Sequence, residues 1–229
     1  SLTDDASGTI PAFIIDVLEK TEQAVPEYLR IVDAEYPSSG NLGRAVITTH
    51  CFWAGEVELG IEEGILSTEP GYVKNIEAMV IEYDSSRISY RELLEASRSL
   101  DLIYEAFPQS EDQRAAAGEV IGEENVESID EHPFTPVDNA TNIKYYLGQT
   151  TYRYVPMTER QKIMVNSAIF FQEDPQVYLS PRQLEMHRYI KRKKPRTWQN
   201  LVPSHDFAED WITTTDKIEK MSKGSVSIH

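Results

Sequence analysis

The chain has 229 residues, 40% of them hydrophobic, enough for one substantial core and at most two small ones. Its net charge of −16 argues against nucleic acid or an anionic membrane as a partner of the whole chain, and the acid gathers near the N-terminus and between Glu105 and Glu131. A single cysteine rules out an internal disulfide, no apolar run approaches a membrane span and no signal peptide is visible, which leaves the compartment open between cytoplasm and export.

Taken in chain order, Ile10 to Gln23 carries Phe13, Ile14, Val17 and Leu18 at helical spacing, with Pro11 tolerated in the first turn. Val25-Pro26 interrupts it, and Glu27 to Glu35 reads as a second short helix before a turn over 36–40. The next elements read as strand 44–50, helix 54–63, strand 65–71, strand 76–83, helix 90–99, strand 102–107 and helix 110–121. Ser89-x-x-Glu92 and Ser110-x-x-Gln113 fit capping boxes at the two later helix starts. The βαββαβ order predicts an α+β fold of the ferredoxin-like, split βαβ kind, with helices packed on one face of a mixed sheet.

Residues 122–150 read as acidic loop and tail. Thr158-x-x-Gln161 then opens a helix to Phe170, and Ser180-Pro181-Arg182-Gln183 opens another that runs into the basic stretch Arg188 to Arg196. Trp198 and Trp211 suggest that the segment after it is pinned. The expected organisation is an N-terminal helical appendage (1–42), a central domain (43–148) and a C-terminal helical extension (149–229).

The chemistry centres on Thr49-His50-Cys51-Phe52-Trp53, where the only cysteine sits between a strand-like and a helix-like run. A thiol near a helix N-terminus meets free N–H groups and a dipole that favour the thiolate. Two readings stand on position alone: a reactive thiol, and a small buried hydrophobe.

From Cys51 to Tyr72 the chain reads CFWAGEVELGIEEGILSTEPGY, which resembles the A-type peptide methionine sulfoxide reductases. The family's Gly-Cys-Phe-Trp motif, its Glu three residues beyond the Trp, its Gly followed by Ser-Thr and its Gly-Tyr align without a gap. They fall on Cys51, Phe52, Trp53, Glu56, Gly64, Ser67, Thr68, Gly71 and Tyr72, with His50 in the place of the motif's Gly. Beyond Tyr72 the family inserts a loop bearing a Tyr and then a Gly-His-Ala-Glu motif; here the chain goes straight to Lys74-Asn75-Ile76-Glu77, and Glu77 matches the motif's Glu. The family's later segment that supplies an Asp and a Tyr is missing, while Phe134-Thr135-Pro136 and Lys144-Tyr145-Tyr146-Leu147 echo its tail.

The resemblance implies the same split βαβ fold and a reductase acting on methionine sulfoxide, in peptide or free form, or on a related sulfoxide. Cys51 is the implied nucleophile, left as a sulfenic acid after the attack, and Glu77 the implied proton donor, a carboxyl kept neutral by an apolar surrounding. Phe52 and Trp53 would form the slot for the methyl group. Tyr72 is a second hydrogen-bond donor by its own chemistry, or a half-buried strand-end residue. Without a second cysteine, turnover calls for an external thiol such as thioredoxin or glutathione, and no cofactor. Preference for the S sulfoxide is implied by the resemblance alone.

Five scattered histidines offer no metal-ligand spacing, so no metal is expected, and His50 is either a partner of the thiolate or an ordinary strand residue. The basic run reads as a solvated helix end or as a dock for the acidic 105–131 region. A second functional class stands beside the reductase: a binding or thiol-relay module on the same scaffold, its activity lost with the trimmed loops.

Overall fold

A computed structural model describes residues 9–36, 41–137, 144–193, 195–198, 201 and 206–224. Of the turn expected over 36–40, residues 37–40 lie outside them. Among the described residues the fold is α+β. Strands β1 (Leu42–Thr48), β2 (Ile65–Val73), β3 (Ile76–Asp84) and the two-residue β4 (Thr135–Pro136) form one sheet in the order β1-β3-β2-β4. Every ladder is antiparallel, where a mixed sheet was expected.

The segment read as a strand over 102–107 lies along the free edge of β1 but forms no regular ladder. Thr48 N–H donates to the Glu105 carbonyl, Tyr104 N–H to the Thr48 carbonyl and Phe107 N–H to the Val46 carbonyl. The Glu105 amide is taken by the Thr48 hydroxyl at 3.0 Å, and Ala106 pairs outward with Asn125 and Glu127, so a side chain and a second segment break the repeat.

Helices α1 (Thr9–Lys20) and α2 (Glu27–Ala34) precede β1, and α3 (Phe52–Glu58) links β1 to β2. Helix α3 starts two residues earlier than expected, directly after Cys51, and stops five earlier. Its end is fixed from outside: the Arg160 guanidinium donates to the carbonyls of Gly60, Ile61 and Glu62, and Gly64 turns into β2 with φ +90°. Helices α4 (Tyr90–Ser99) and α5 (Glu111–Ile121) follow β3. The capping box at Ser89 is complete, worth about 1 kcal/mol for such a cap. At Ser110 only its first half forms, because the Gln113 side-chain oxygen accepts from Gln109 instead.

Alternation along the strands sends Ala45, Ile47, Met79 and Ile81 to a core shared with Phe52, Leu59, Leu93 and Leu94 of the helices. Val46, Val73, Ala78 and Val80 face the other way onto Phe107 and Phe134, so β1 and β3 are buried on both sides. Gly71 is required at its crossing, since a Cβ there would lie 2.3 Å from the Phe134 ring and 2.5 Å from the Thr135 carbonyl oxygen.

Past α6 (Tyr145–Gly148), helices α7 (Glu159–Phe171) and α8 (Pro181–Lys191) both open with complete capping boxes, as the sequence predicts. Helix α9 (Phe207–Gly224) was not legible. These elements enclose a second core around Leu147, Met157, Val165, Ile190 and the fully buried Trp198, whose indole N–H donates to the Ile190 carbonyl. Helix α7 packs on α3, β2 and α2, tying this unit to the sheet. The basic residues Arg188, Lys191 and Arg192 are exposed, whereas Glu105 and Glu127 pair with Lys74 and Glu119 with Arg91. Three carboxylates of the acidic region thus pair with Lys74 and Arg91. No helix among the described residues is long and apolar enough to cross a membrane.

Where α2 meets α7, Glu35 accepts from the Arg160 backbone N–H at 2.9 Å. Burial pushes its carboxyl up to about 7 from 4.5, against the pull of hydrogen bonds from Thr158 and Arg160. An acid whose native pKa is raised contributes stability fully below its unfolded pKa and loses it as pH rises through the native value. Urea midpoints should therefore fall between about pH 4.5 and 7. Glu35→Gln is expected to flatten that part of the profile.

Candidate functional site

The site forms where β1 ends, at the edge of the sheet's helix-bearing face. β1 stays extended through Thr49, whose N–H donates to the Glu77 carbonyl at 2.8 Å and continues the β1–β3 pairing by one residue. His50 and Cys51 then turn the chain, and Cys51 stands as the residue capping α3 at its N-terminus, extended at φ −157° and ψ 109°. Its side chain makes no capping bond, which leaves the half-buried thiol uncommitted.

Strands β2 and β3 bring the other residues to this edge. They are joined by the two-residue turn Lys74-Asn75, both with positive φ (52° and 63°), as a type I′ hairpin requires. So tight a turn fixes the register, and Tyr72 lies directly opposite Glu77. The pair shares the face that carries Met79 and Ile81 towards the helices. The shortest common hairpin thus sets out a row running from Thr49 through Glu77 to Tyr72.

The half-buried Glu77 closes the constellation. Its Oε2 accepts from the Phe52 backbone N–H at 2.9 Å, one peptide unit from Cys51, and so caps the first turn of α3. Phe52 is buried and meets the rings of both Trp53 and Tyr72 edge-on, each at 5.9 Å between centroids. Trp53 and Tyr72 are 42% and 41% exposed, so the aromatic rim beside the thiol is open to solvent. Cys51, Phe52, Trp53, Tyr72 and Glu77 are therefore all gathered at one place. His50 turns aside: its Nδ1 lies 3.0 Å from the Asp101 carbonyl oxygen, which can only accept, so Nδ1 carries the proton and donates there.

Two groups at the site had no assigned role in the sequence. Tyr145, 38% exposed, stacks on Trp53 with 4.1 Å between centroids and 22° between planes, and begins a chain of rings through Tyr146 to Phe170 and Phe171. Beside it, the Lys144 ammonium is buried. It donates to Glu56 Oε1 at 2.6 Å, to the Thr68 carbonyl at 2.5 Å and to the Thr68 hydroxyl at 2.8 Å. Burial raises the Glu56 carboxyl above its ordinary value and the neighbouring ammonium draws it part of the way back. A signal for this pair was present: Glu56 follows Phe52 by one helical turn and precedes Leu59, so it lies on the stripe that must face the core. A carboxylate there demands a partner.

Lys144→Met would leave that carboxylate buried without its cation. Unfolding in urea is expected to show a loss of about 3–5 kcal/mol at neutral pH, reduced in acid where Glu56 takes up a proton.

Among the described residues no group of three or more His, Cys, Asp or Glu is placed to hold a metal ion. No family model matches the chain, and no curated protein matches it.

Proposed function

We propose that the protein is a thiol-dependent reductase of methionine sulfoxide, in peptides or free, or of a related sulfoxide, working through Cys51. The observation that carries this reading is the Glu77 carboxyl on the Phe52 amide, one peptide unit from the thiol, beside an open aromatic rim. The order of segment 102–107, β1, β3 and β2, with α3 crossing from β1 to β2, supports a split βαβ, ferredoxin-like fold for residues 43–148, with 1–42 and 149–229 as helical extensions.

In this mechanism the Cys51 thiolate attacks the sulfoxide sulfur while Glu77, through Oε1, protonates the oxygen. The sulfur–oxygen bond and the transient sulfur–sulfur bond made by the attack both break, the hydroxyl passes to Cys51 as a sulfenic acid, and the thioether departs. The substrate sulfur gains the two electrons that the Cys51 sulfur loses. Phe52 and Trp53 receive the methyl group, and Tyr72, opposite Glu77, donates a second hydrogen bond to the oxygen. Two external thiols, from thioredoxin or glutathione, then return Cys51 to the thiolate, releasing water and a disulfide, and the remaining thiol proton goes to Glu77.

The test is turnover with methionine S-sulfoxide and dithiothreitol, following methionine. Steady release supports the reductase. No release from folded protein whose thiol still reacts would favour a second reading, a binding or thiol-relay module. The stack of Tyr145 on Trp53, which occupies one face of the indole, is the observation on that side.

A further inference from the structure

We propose that Lys144, Glu56 and Thr68 form a latch that seats Tyr145 on Trp53, making Tyr145 a wall of the Cys51 site and Lys144 and Glu56 its positioning residues. The inference rests on Cys51 as the reactive thiol of the proposed site, not on sulfoxide as its substrate.

Lys144 is 4% exposed, Glu56 2% and Thr68 4%, so the ammonium has exchanged water for three oxygens held on two different elements. Glu56 lies one turn along α3 from Phe52, and Thr68 is on β2, four residues before Tyr72. Both anchors therefore belong to the elements that carry the site. A Lys side chain alone could swing, but a buried ammonium bonded to a carboxylate, a carbonyl and a hydroxyl has one low-energy position.

The residue after Lys144 is then fixed as well. Asn166 of α7 holds the next turn, its Oδ1 accepting from the N–H groups of Tyr146 and Leu147 at 3.0 Å each. Between these two clamps the Tyr145 ring stacks on the Trp53 indole, with the Tyr146 ring edge-on at 5.1 Å. Exposed on its outer side, the stacked pair extends the aromatic surface next to the thiol beyond what Phe52 and Trp53 supply. Such a wall favours an incoming group with an apolar or aromatic neighbour over a bare polar one.

The single cysteine makes a test possible without turnover. Alkylation of Cys51 by N-phenylmaleimide is compared with that by N-methylmaleimide, in the wild type, Lys144→Met, Tyr145→Ala and the double variant. Both single variants are expected to lower the phenyl-to-methyl rate ratio by roughly 2- to 10-fold, the range an aromatic pair supplies. The double variant should fall no further than Tyr145→Ala, because Lys144 acts through Tyr145. If Lys144→Met does not fold, Glu56→Met with Lys144→Met replaces the ion pair by apolar side chains and carries the same comparison. An unchanged ratio in the lysine variants, or effects that add in the double variant, would overturn the latch. Sulfoxide reduction is a separate readout: its absence with this alkylation pattern intact would remove the reductase and keep the latch.

Discussion

Cys51→Ser is expected to abolish sulfoxide reduction altogether while leaving the protein folded. A serine hydroxyl is not ionised near neutral pH and cannot accept the sulfoxide oxygen to give a stable product, so neither the attack nor the oxygen transfer has a substitute. The fold should tolerate the change. Cys51 is half-buried at the start of α3, its side chain makes no capping bond, and a serine at that position is itself a preferred N-cap. Thermal unfolding within a few degrees of the wild type, together with product release at the level of protein-free buffer, is the predicted pair of results. A variant that kept full activity would remove Cys51 from the chemistry.

Glu77→Gln is expected to slow the chemical step by the 10²- to 10⁴-fold that general acids typically supply. The amide oxygen can still accept from the Phe52 N–H, so the start of α3 keeps its cap. What is lost is the acidic proton. Glu77→Ala would lose the cap as well, and comparing the two separates support of the helix from proton transfer. The loss should appear in kcat, because Phe52 and Trp53, the proposed slot for the methyl group, are untouched. An unchanged rate in Glu77→Gln would leave Glu77 as a cap only.

Local pattern made much of this site legible. Cys51, Phe52 and Trp53 are consecutive, and the periodicity change at Thr49 placed them between strand and helix. Tyr72 and Glu77 were less direct, since their meeting depends on the turn at Lys74-Asn75 and hence on the register of β2 against β3. Glu77 was assigned through the resemblance alone, and strands read as 65–71 and 76–83 did not specify that it would face Tyr72. Lys144 and Tyr145 lay beyond such reasoning. The stripe of α3 shows that Glu56 needs a partner, but Lys144 reaches it across 88 positions and nothing in either segment says which residue supplies the cation.

The errors of the secondary-structure reading have similar causes. Leu102 to Phe107 has strand-like apolar content, but the Thr48 hydroxyl takes the Glu105 amide and the ladder fails to form. Helix α9 escaped notice because Thr213, Thr214 and Thr215 interrupt its pattern with β-branched residues of modest helix propensity. Thr214 is buried on the face shared by Trp211, Ile218 and Met221, so a polar residue sits where the apolar period needed a hydrophobe. Helix α3 is shorter than expected for a tertiary reason, because the guanidinium that collects the carbonyls of the turn after it belongs to Arg160, a hundred positions away from Gly60.

The most direct test is a single turnover of the fully reduced protein, without added thiol, on methionine S-sulfoxide and on a blocked peptide analogue. Methionine release is quantified together with trapping of sulfenic acid at Cys51. The mechanism predicts release of up to one equivalent per protein, matched by trapped Cys51. No release, with Cys51 still open to a small alkylating reagent, would contradict it.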